Sequence, residues 1–272
     1  MNDPAPPAPT GTAARALARA REEADAVLAG LVPTADVHGS IHEARKAIRR
    51  LRALLQLVDQ RLDVGIADRI LQRTGDSLSA LRDAHATIGT AERFARRDHE
   101  RWQPVVVALA QRRDALLATA LVQDPGFERR RSWVRRALAR IEAAPWHRLK
   151  AADLRRALER GRRRADKARK RARRDADADA DALHRWRRRV RKLRMQVEAV
   201  ATIKPALVAS LGGERHADQA ERLHALSDRL GRRQDLDVLR TLLEGMPGLD
   251  DRDTLLDQVR EAEDRLGRSL GG

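Results

Sequence analysis

The chain has 272 residues, with 56 Lys and Arg against 40 Asp and Glu for a formal net charge of +16. Only six of the cations are lysine, at positions 46, 150, 167, 170, 192 and 204. The lack of cysteine excludes disulfides, iron–sulfur clusters, thiolate zinc sites and cysteine nucleophiles. The lack of tyrosine, with aromatics at 2%, argues against base-stacking modules for single-stranded nucleic acid.

Four prolines in the first ten residues (Pro4, Pro6, Pro7, Pro9) predict a disordered tail over 1–11. This N-terminus has an early acid and no hydrophobic stretch, so it is not expected to be a secretion signal. Beyond it, Ala, Leu, Arg and Glu dominate, and apolar residues recur at spacings of three and four. Prolines and glycines then divide the chain into predicted helices near 12–31, 38–60, 66–97, 102–122, 127–143, 150–174, 182–203, 214–233, 235–245 and 250–269. Pro104 is expected in an early helical turn, where its missing N–H costs nothing. No βαβ alternation, phosphate-cradling Gly loop or hairpin signal occurs, so the fold class is all-α. No apolar run approaches the ~20 residues of a membrane span, so no membrane partner is expected. The alternating Asp175-Ala-Asp177-Ala-Asp179-Ala-Asp181 stretch lacks the Gly turn and closing Glu of a calcium loop. It is expected to be a solvated linker, with Asp181 or a neighbour capping the next helix.

Two helices carry a matched pattern. His42-Glu-Ala-Arg45-Lys46-Ala-Ile48-Arg49-Arg50-Leu51-Arg52 aligns with His184-Arg-Trp-Arg187-Arg188-Arg-Val190-Arg191-Lys192-Leu193-Arg194, 142 positions later and close to half the chain. An internal duplication is the simplest account. At helical spacing, His42, Arg45, Lys46, Arg49, Arg50 and Arg52 share one arc of roughly 160°, while Ala44, Ala47, Ile48, Leu51, Leu55 and Val58 take the opposite side. The second copy sorts likewise, with Trp186, Val190, Leu193, Val197 and Val200 as its apolar face and Arg189 as the exception. A merely solvated face would intersperse acids, yet Glu43 is the sole acid within the first copy and the second has none. Like charges three and four apart cost helix stability, so such clustering points to a bound anion.

A further doublet follows, Leu78-Ser-Ala-Leu-Arg82-Asp83-Ala-His85 and Leu230-Gly-Arg-Arg-Gln234-Asp235-Leu-Asp237-Val238-Leu239. Together with the paired His/Arg helices it resembles the CHAD domain, the conserved histidine α-helical domain. The first copy departs from the family pattern at Ala84-His85-Ala86, where a Leu-Asp-Val-like run is usual. The resemblance implies a CHAD domain over 12–272, with a first repeat over 12–125 and a second over 126–272. It further implies two pseudo-symmetric antiparallel helical bundles whose basic helices face a central cavity. It implies inorganic polyphosphate as the partner, a non-catalytic role and location at polyphosphate granules in the cytoplasm.

The implied polyphosphate-binding residues are His42, Arg45, Lys46, Arg49, Arg50 and Arg52 with His184, Arg187, Arg188, Arg191, Lys192 and Arg194. A possible extension comprises Arg164, Lys167, Lys170, Arg171 and Arg174. Arginine forks bind phosphate oxygens in bidentate fashion and hold geometry better than lysine. A bound phosphate would favour the imidazolium of His42 and recruit the second N–H of both histidines, so binding is expected to tighten at mildly acidic pH. Asp83 and Asp235 are expected in turns, capping helices or holding arginines by ion pairing. His38 and His42 stand one turn apart, but Gly39 breaks the HExxH pattern, and no metal site or cofactor is expected. His85, His99, His147, His216 and His224 share no spacing and are expected at the surface or at caps. Trp102, Trp133, Trp146, Phe94 and Phe127 are expected as core anchors. Two other functions remain open on the residues alone. One is nucleic-acid binding, which the net charge supports equally; the other is phosphoryl transfer through His42 or His184.

Overall fold

Eleven α-helices and two short 3-10 turns make up the described residues, 10–174, 180–210 and 215–271 of a computed structural model, and no strand occurs among them. In chain order the helices are α1 (Gly11–Gly30), α2 (Val37–Leu62), α3 (Gly65–Ser77), α4 (Ser79–Ala95), α5 (His99–Gln123), α6 (Glu128–Glu142), α7 (Ala151–Arg174), α8 (Ala180–Ile203), α9 (Pro205–Ser210), α10 (Arg215–Glu244) and α11 (Arg252–Gly271). The all-α expectation is met. The expected tail up to residue 9, residues 175–179 of the alternating Asp stretch, the Asp181 side chain and the breaker at 212–213 lie outside the described residues.

Three expected boundaries are corrected. The helix expected over 66–97 is two, α3 and α4, meeting at Leu78, whose φ of −102° and ψ of 3° leave the helical basin. At that break Gly75 O accepts from Leu78 N at 3.2 Å, and from Arg45 Nη1 of α2. The helices expected over 214–233 and 235–245 are one, α10. Gly231 and the polar Gln234-Asp235 pair do not interrupt it, because Leu230, Leu236, Leu239 and Leu243 all bury at helical spacing. That burial outweighs the ~1 kcal/mol a mid-helix glycine costs. Asp83 and Asp235 therefore lie inside helices and cap neither. α5 begins at His99 rather than near 102, so Pro104 sits in its second turn and removes one backbone hydrogen bond there.

Local signals account for several ends. Asp36 Oδ1 accepts from Gly39 N at 2.9 Å and starts α2, and Asp63, at φ 49° and ψ 55°, ends it in the left-handed region. Asp124 accepts from Arg129 N at 2.8 Å and binds Arg130 Nη1 at 2.7 Å, both groups being almost fully buried. Arg130 Nε also donates to Ser77 Oγ at 3.0 Å, so one guanidinium ties the end of α3 to the start of α6. Gly30 lets α1 cross α2 closely: a Cβ there would stand 2.7 Å from Ser40 O and 2.9 Å from Ala44 Cβ.

The buried residues form three clusters. The largest joins α1, α2, α3, α6, α7 and the C-terminal part of α8, through residues such as Ala16, Leu51, Leu71, Val134, Leu154 and Val200. A second joins α4 and α5 to α10 and α11 through Ile88, Trp102, Leu239 and Leu255. A small third cluster sets Trp186 and Val190 of α8 against Ala172 of α7 and Leu230 of α10. α2 and α8 pack directly on each other, and Gln196 Nε2 donates to Ala53 O across that contact at 3.2 Å. Trp102, Trp146 and Phe127 are buried, and Phe94 stacks on Trp102 with ring centroids 4.5 Å apart. Trp133 is only half-buried, its face covered by the Arg73 guanidinium at 4.6 Å.

Candidate functional site: a central arginine cavity

The apolar sides expected for α2 and α8 are the sides that pack. Ala44, Ala47, Ile48, Leu51, Leu55 and Val58 are buried on α2, as are Trp186, Val190, Leu193 and Val200 on α8. With those stripes pinned, the i,i+4 pairs Arg45/Arg49 and Arg187/Arg191 turn toward one cavity of about 210 Å³ between α2, α4, α8 and α10. Arg82, Asp83, Ala86 and Thr87 of α4 complete the lining, with His184 of α8 and Gln234, Asp235 and Val238 of α10. Five arginines thus converge, with two carboxylates to offset them.

The carboxylates neutralise only part of that charge. Arg82 Nη1 binds Asp83 at 2.8 Å, and its Nη2 lies 4.0 Å from Asp235. Burial raises the Asp235 carboxyl, which the Arg82 and Arg187 charges only partly counter. Arg187 is 8% exposed and its guanidinium is lowered chiefly by burial. Burial and the neighbouring Arg191, Arg82, Arg45 and Arg187 charges pull Arg49 down to about 9. Arg191 falls to about 10, from burial and then Arg187, Arg82 and Arg45. Depressions of this kind mark cations crowded together without a matching anion. Arg45 is anchored, donating from Nη1 to Ser79 Oγ at 2.9 Å and to Gly75 O. The buried Nε atoms of Arg45, Arg49 and Arg82 have no partner among the described residues.

The two histidines are held differently. Gln234 Nε2 donates to Asp237 Oδ2 at 3.3 Å, which turns its Oε1 toward His184 Nδ1 at 2.8 Å. His184 therefore donates from Nδ1, leaving Nε2 for a ligand. Past His184 the cavity continues into a recess of about 220 Å³ where acids are present, Arg240 binding Asp237 at 2.7 Å and lying 3.5 Å from Glu263. His42 lies outside the lining, with its ring centroid 6.2 Å from that of His85, which stacks on His38 at 5.9 Å. His85 is therefore not the isolated surface residue expected of it. Burial, Lys46 and Arg49 lower His42; burial and Arg113 lower His38. Among the described residues no group of three His, Asp or Glu is arranged to hold a metal ion.

The remaining expected site residues go elsewhere. Lys46 pairs with Glu43 at 2.8 Å, Arg50 with the buried Glu23 of α1 at 2.8 Å, and Arg52 with Asp68 of α3 at 2.8 Å. Arg194 turns to Glu198 at 3.6 Å and to His224 of α10. Arg188 and Lys192 face α7, where they share a separate cleft with Arg164, Lys167 and Arg171. Lys170 is exposed and does not line that cleft, and the side chain of Arg174 lies outside the described residues. A 160° arc is wide enough to meet three neighbouring helices, so one cationic face on α2 becomes a central stripe and two ion-paired edges. Arg82 and Gln234 also line the site, outside the paired His/Arg pattern. Their signal was their place beside Asp83 and Asp235 in the second doublet.

The sequence matches the CHAD domain over residues 12–244. The fold is similar to the crystal structure of the CHAD domain from the plant Ricinus communis, with a TM-score of 0.61 at 20% identity, covering 98% of this chain and 88% of that one. No curated protein matches the sequence. The chain is a member of the CHAD domain family. No helix among the described residues is long and apolar enough to cross a membrane.

Proposed function

We propose that the protein binds inorganic polyphosphate in the central cavity, without chemical turnover, as a cytoplasmic component of polyphosphate granules. The observation that carries this reading is the convergence of Arg45/Arg49 and Arg187/Arg191, positions 142 apart in sequence, with Arg82 on one cavity. Such a cluster is stabilised by a ligand bearing closely spaced phosphoryl oxygens, each able to accept two guanidinium N–H groups. The internal duplication explains why the arginines arrive as equivalent pairs. A phosphate chain presents the same group at every unit, so two equivalent walls suit it. Double-stranded nucleic acid offers phosphates only along the outside of a wide duplex, and among the described residues no Phe or Trp lines the cavity to stack on single-stranded bases.

The test is competition at matched salt. Long-chain polyphosphate should displace labelled polyphosphate from the full chain far better than duplex DNA does, and Arg49→Ala with Arg191→Ala should abolish the difference. Equal displacement by both polymers would overturn the proposal in favour of nucleic acid. Phosphate release that disappears in a His184→Ala variant would make the protein an enzyme instead.

A further inference from the structure

α8 is cationic on two sides. Its Arg187/Arg191 stripe faces the central cavity, and the opposite edge carries Arg188, Arg189 and Lys192 into a cleft of about 440 Å³ against α7. Arg164, Lys167 and Arg171 form the α7 wall, and Gln56 of α2 contributes at one end. Among the described residues no carboxylate lines this cleft and none of these six cations forms an ion pair, while Arg185, the seventh cation of the lining, does have a partner. Elsewhere Arg50, Arg52, Arg131 and Arg240 each hold an acid. Burial, then Arg189 and Arg164, lowers the Lys192 ammonium to about 8, so the cleft crowds its charges as the central cavity does. A smaller recess of about 210 Å³ continues past Gln56, Arg164, Arg189 and Lys192 to Arg160 and Asp59, where a carboxylate joins the lining. Between Arg164 and Arg171 the α7 wall runs for about 10 Å, room for several linked phosphates but not for a duplex groove.

We propose that the α7–α8 cleft is a second site for condensed phosphate, separate from the central cavity and reached across α8. The identity of the ligand rests on the polyphosphate reading of the central cavity; the location of the site does not. A long chain occupying both sites gains from the second as an intramolecular event, whereas a short oligomer fills each site independently.

Titration calorimetry of the full chain with tripolyphosphate decides the matter, using two variants. One replaces Arg164, Lys167 and Arg171 by Ala, all exposed positions on α7; the other is Arg49→Ala with Arg191→Ala. Two molecules of tripolyphosphate should bind the parent chain, and each variant should lose one of them. With long-chain polyphosphate the α7 variant should bind ~10–100-fold more weakly than the parent, through lost avidity. One molecule bound to the parent, lost in the central variant and unaffected in the α7 variant, overturns the second site and leaves the central one. One molecule lost only in the α7 variant overturns the central site and keeps the cleft. No binding to the parent overturns both. An α7 variant that loses duplex DNA but still binds two tripolyphosphates would overturn the proposal and make the cleft a nucleic-acid contact.

Discussion

Arg82 of α4 lies 4.0 Å from Asp235 of α10, and the two line one cavity with Arg49 and Arg191. This contact joins helices from opposite halves of the sequence, and it leaves the cavity with more guanidinium than carboxylate. An anion would complete a charge balance that the protein's own acids leave open.

Arg49 and Arg191 therefore cost the free protein stability and serve the bound one. Replacing either by Ala should leave the melting temperature of the ligand-free protein unchanged or higher at low salt. Binding of polyphosphate should weaken by ~10–100-fold, the worth of one or two hydrogen bonds to a charged group. Melting curves with and without polyphosphate check both effects. A variant that melts lower without ligand and binds normally would show that the arginines are structural.

Arg50 belongs to the same predicted face and should behave in the opposite way. It holds Glu23, whose side chain is 3% exposed and shared with Arg19. Arg50→Ala should destabilise the fold by about 1–3 kcal/mol, because a buried carboxylate loses a partner, with little change in affinity. Denaturant unfolding beside a binding isotherm separates these outcomes.

Acidification should tighten binding. Burial, Lys46 and Arg49 hold free His42 below its usual 6.5, with Arg82 adding to them and Glu43 opposing. His42 stands outside the cavity lining, but the charge of the lining residue Arg49 reaches it, so an anion bound at Arg49 raises it; binding then takes up a proton between the depressed free value and the raised bound one, and affinity climbs as the pH falls through that window. The ligand-free protein moves the other way. Its unfolded chain protonates first, near 6.5, so stability is present above that value and declines below it. Isotherms from pH 8 to 5.5 should steepen for the parent and flatten for His42→Ala.

The Arg130–Asp124 pair should be the most sensitive point of the scaffold. The two side chains are 8% and 3% exposed, and Arg130 also reaches Ser77. Arg130→Ala strands a buried carboxylate and should cost about 3–5 kcal/mol. Loss of Ser77 Oγ alone should cost about 1 kcal/mol. Urea midpoints of the two variants give the comparison.

Composition and spacing were enough to establish helices throughout, the apolar faces of α2 and α8, and the paired His/Arg pattern with its family resemblance. These are local properties: a stripe at i, i+3 and i+4 is written in the chain and holds wherever the helix packs. What each cation does depends on which helix lies opposite it, and that is not a local property. Arg45 and Arg49 meet Arg187 and Arg191, whereas Arg50 meets Glu23 and Arg52 meets Asp68. Asp235 looked like a turn residue because Gly231 and Gln234 precede it, yet leucines buried from α10 keep that segment helical. The surplus of positive charge was plain in the sequence. Its division into a central cavity, a cleft beside α7 and a set of neutralised edges came only with the packing, because a charge remains without a counter-ion only where the fold brings no acid to it.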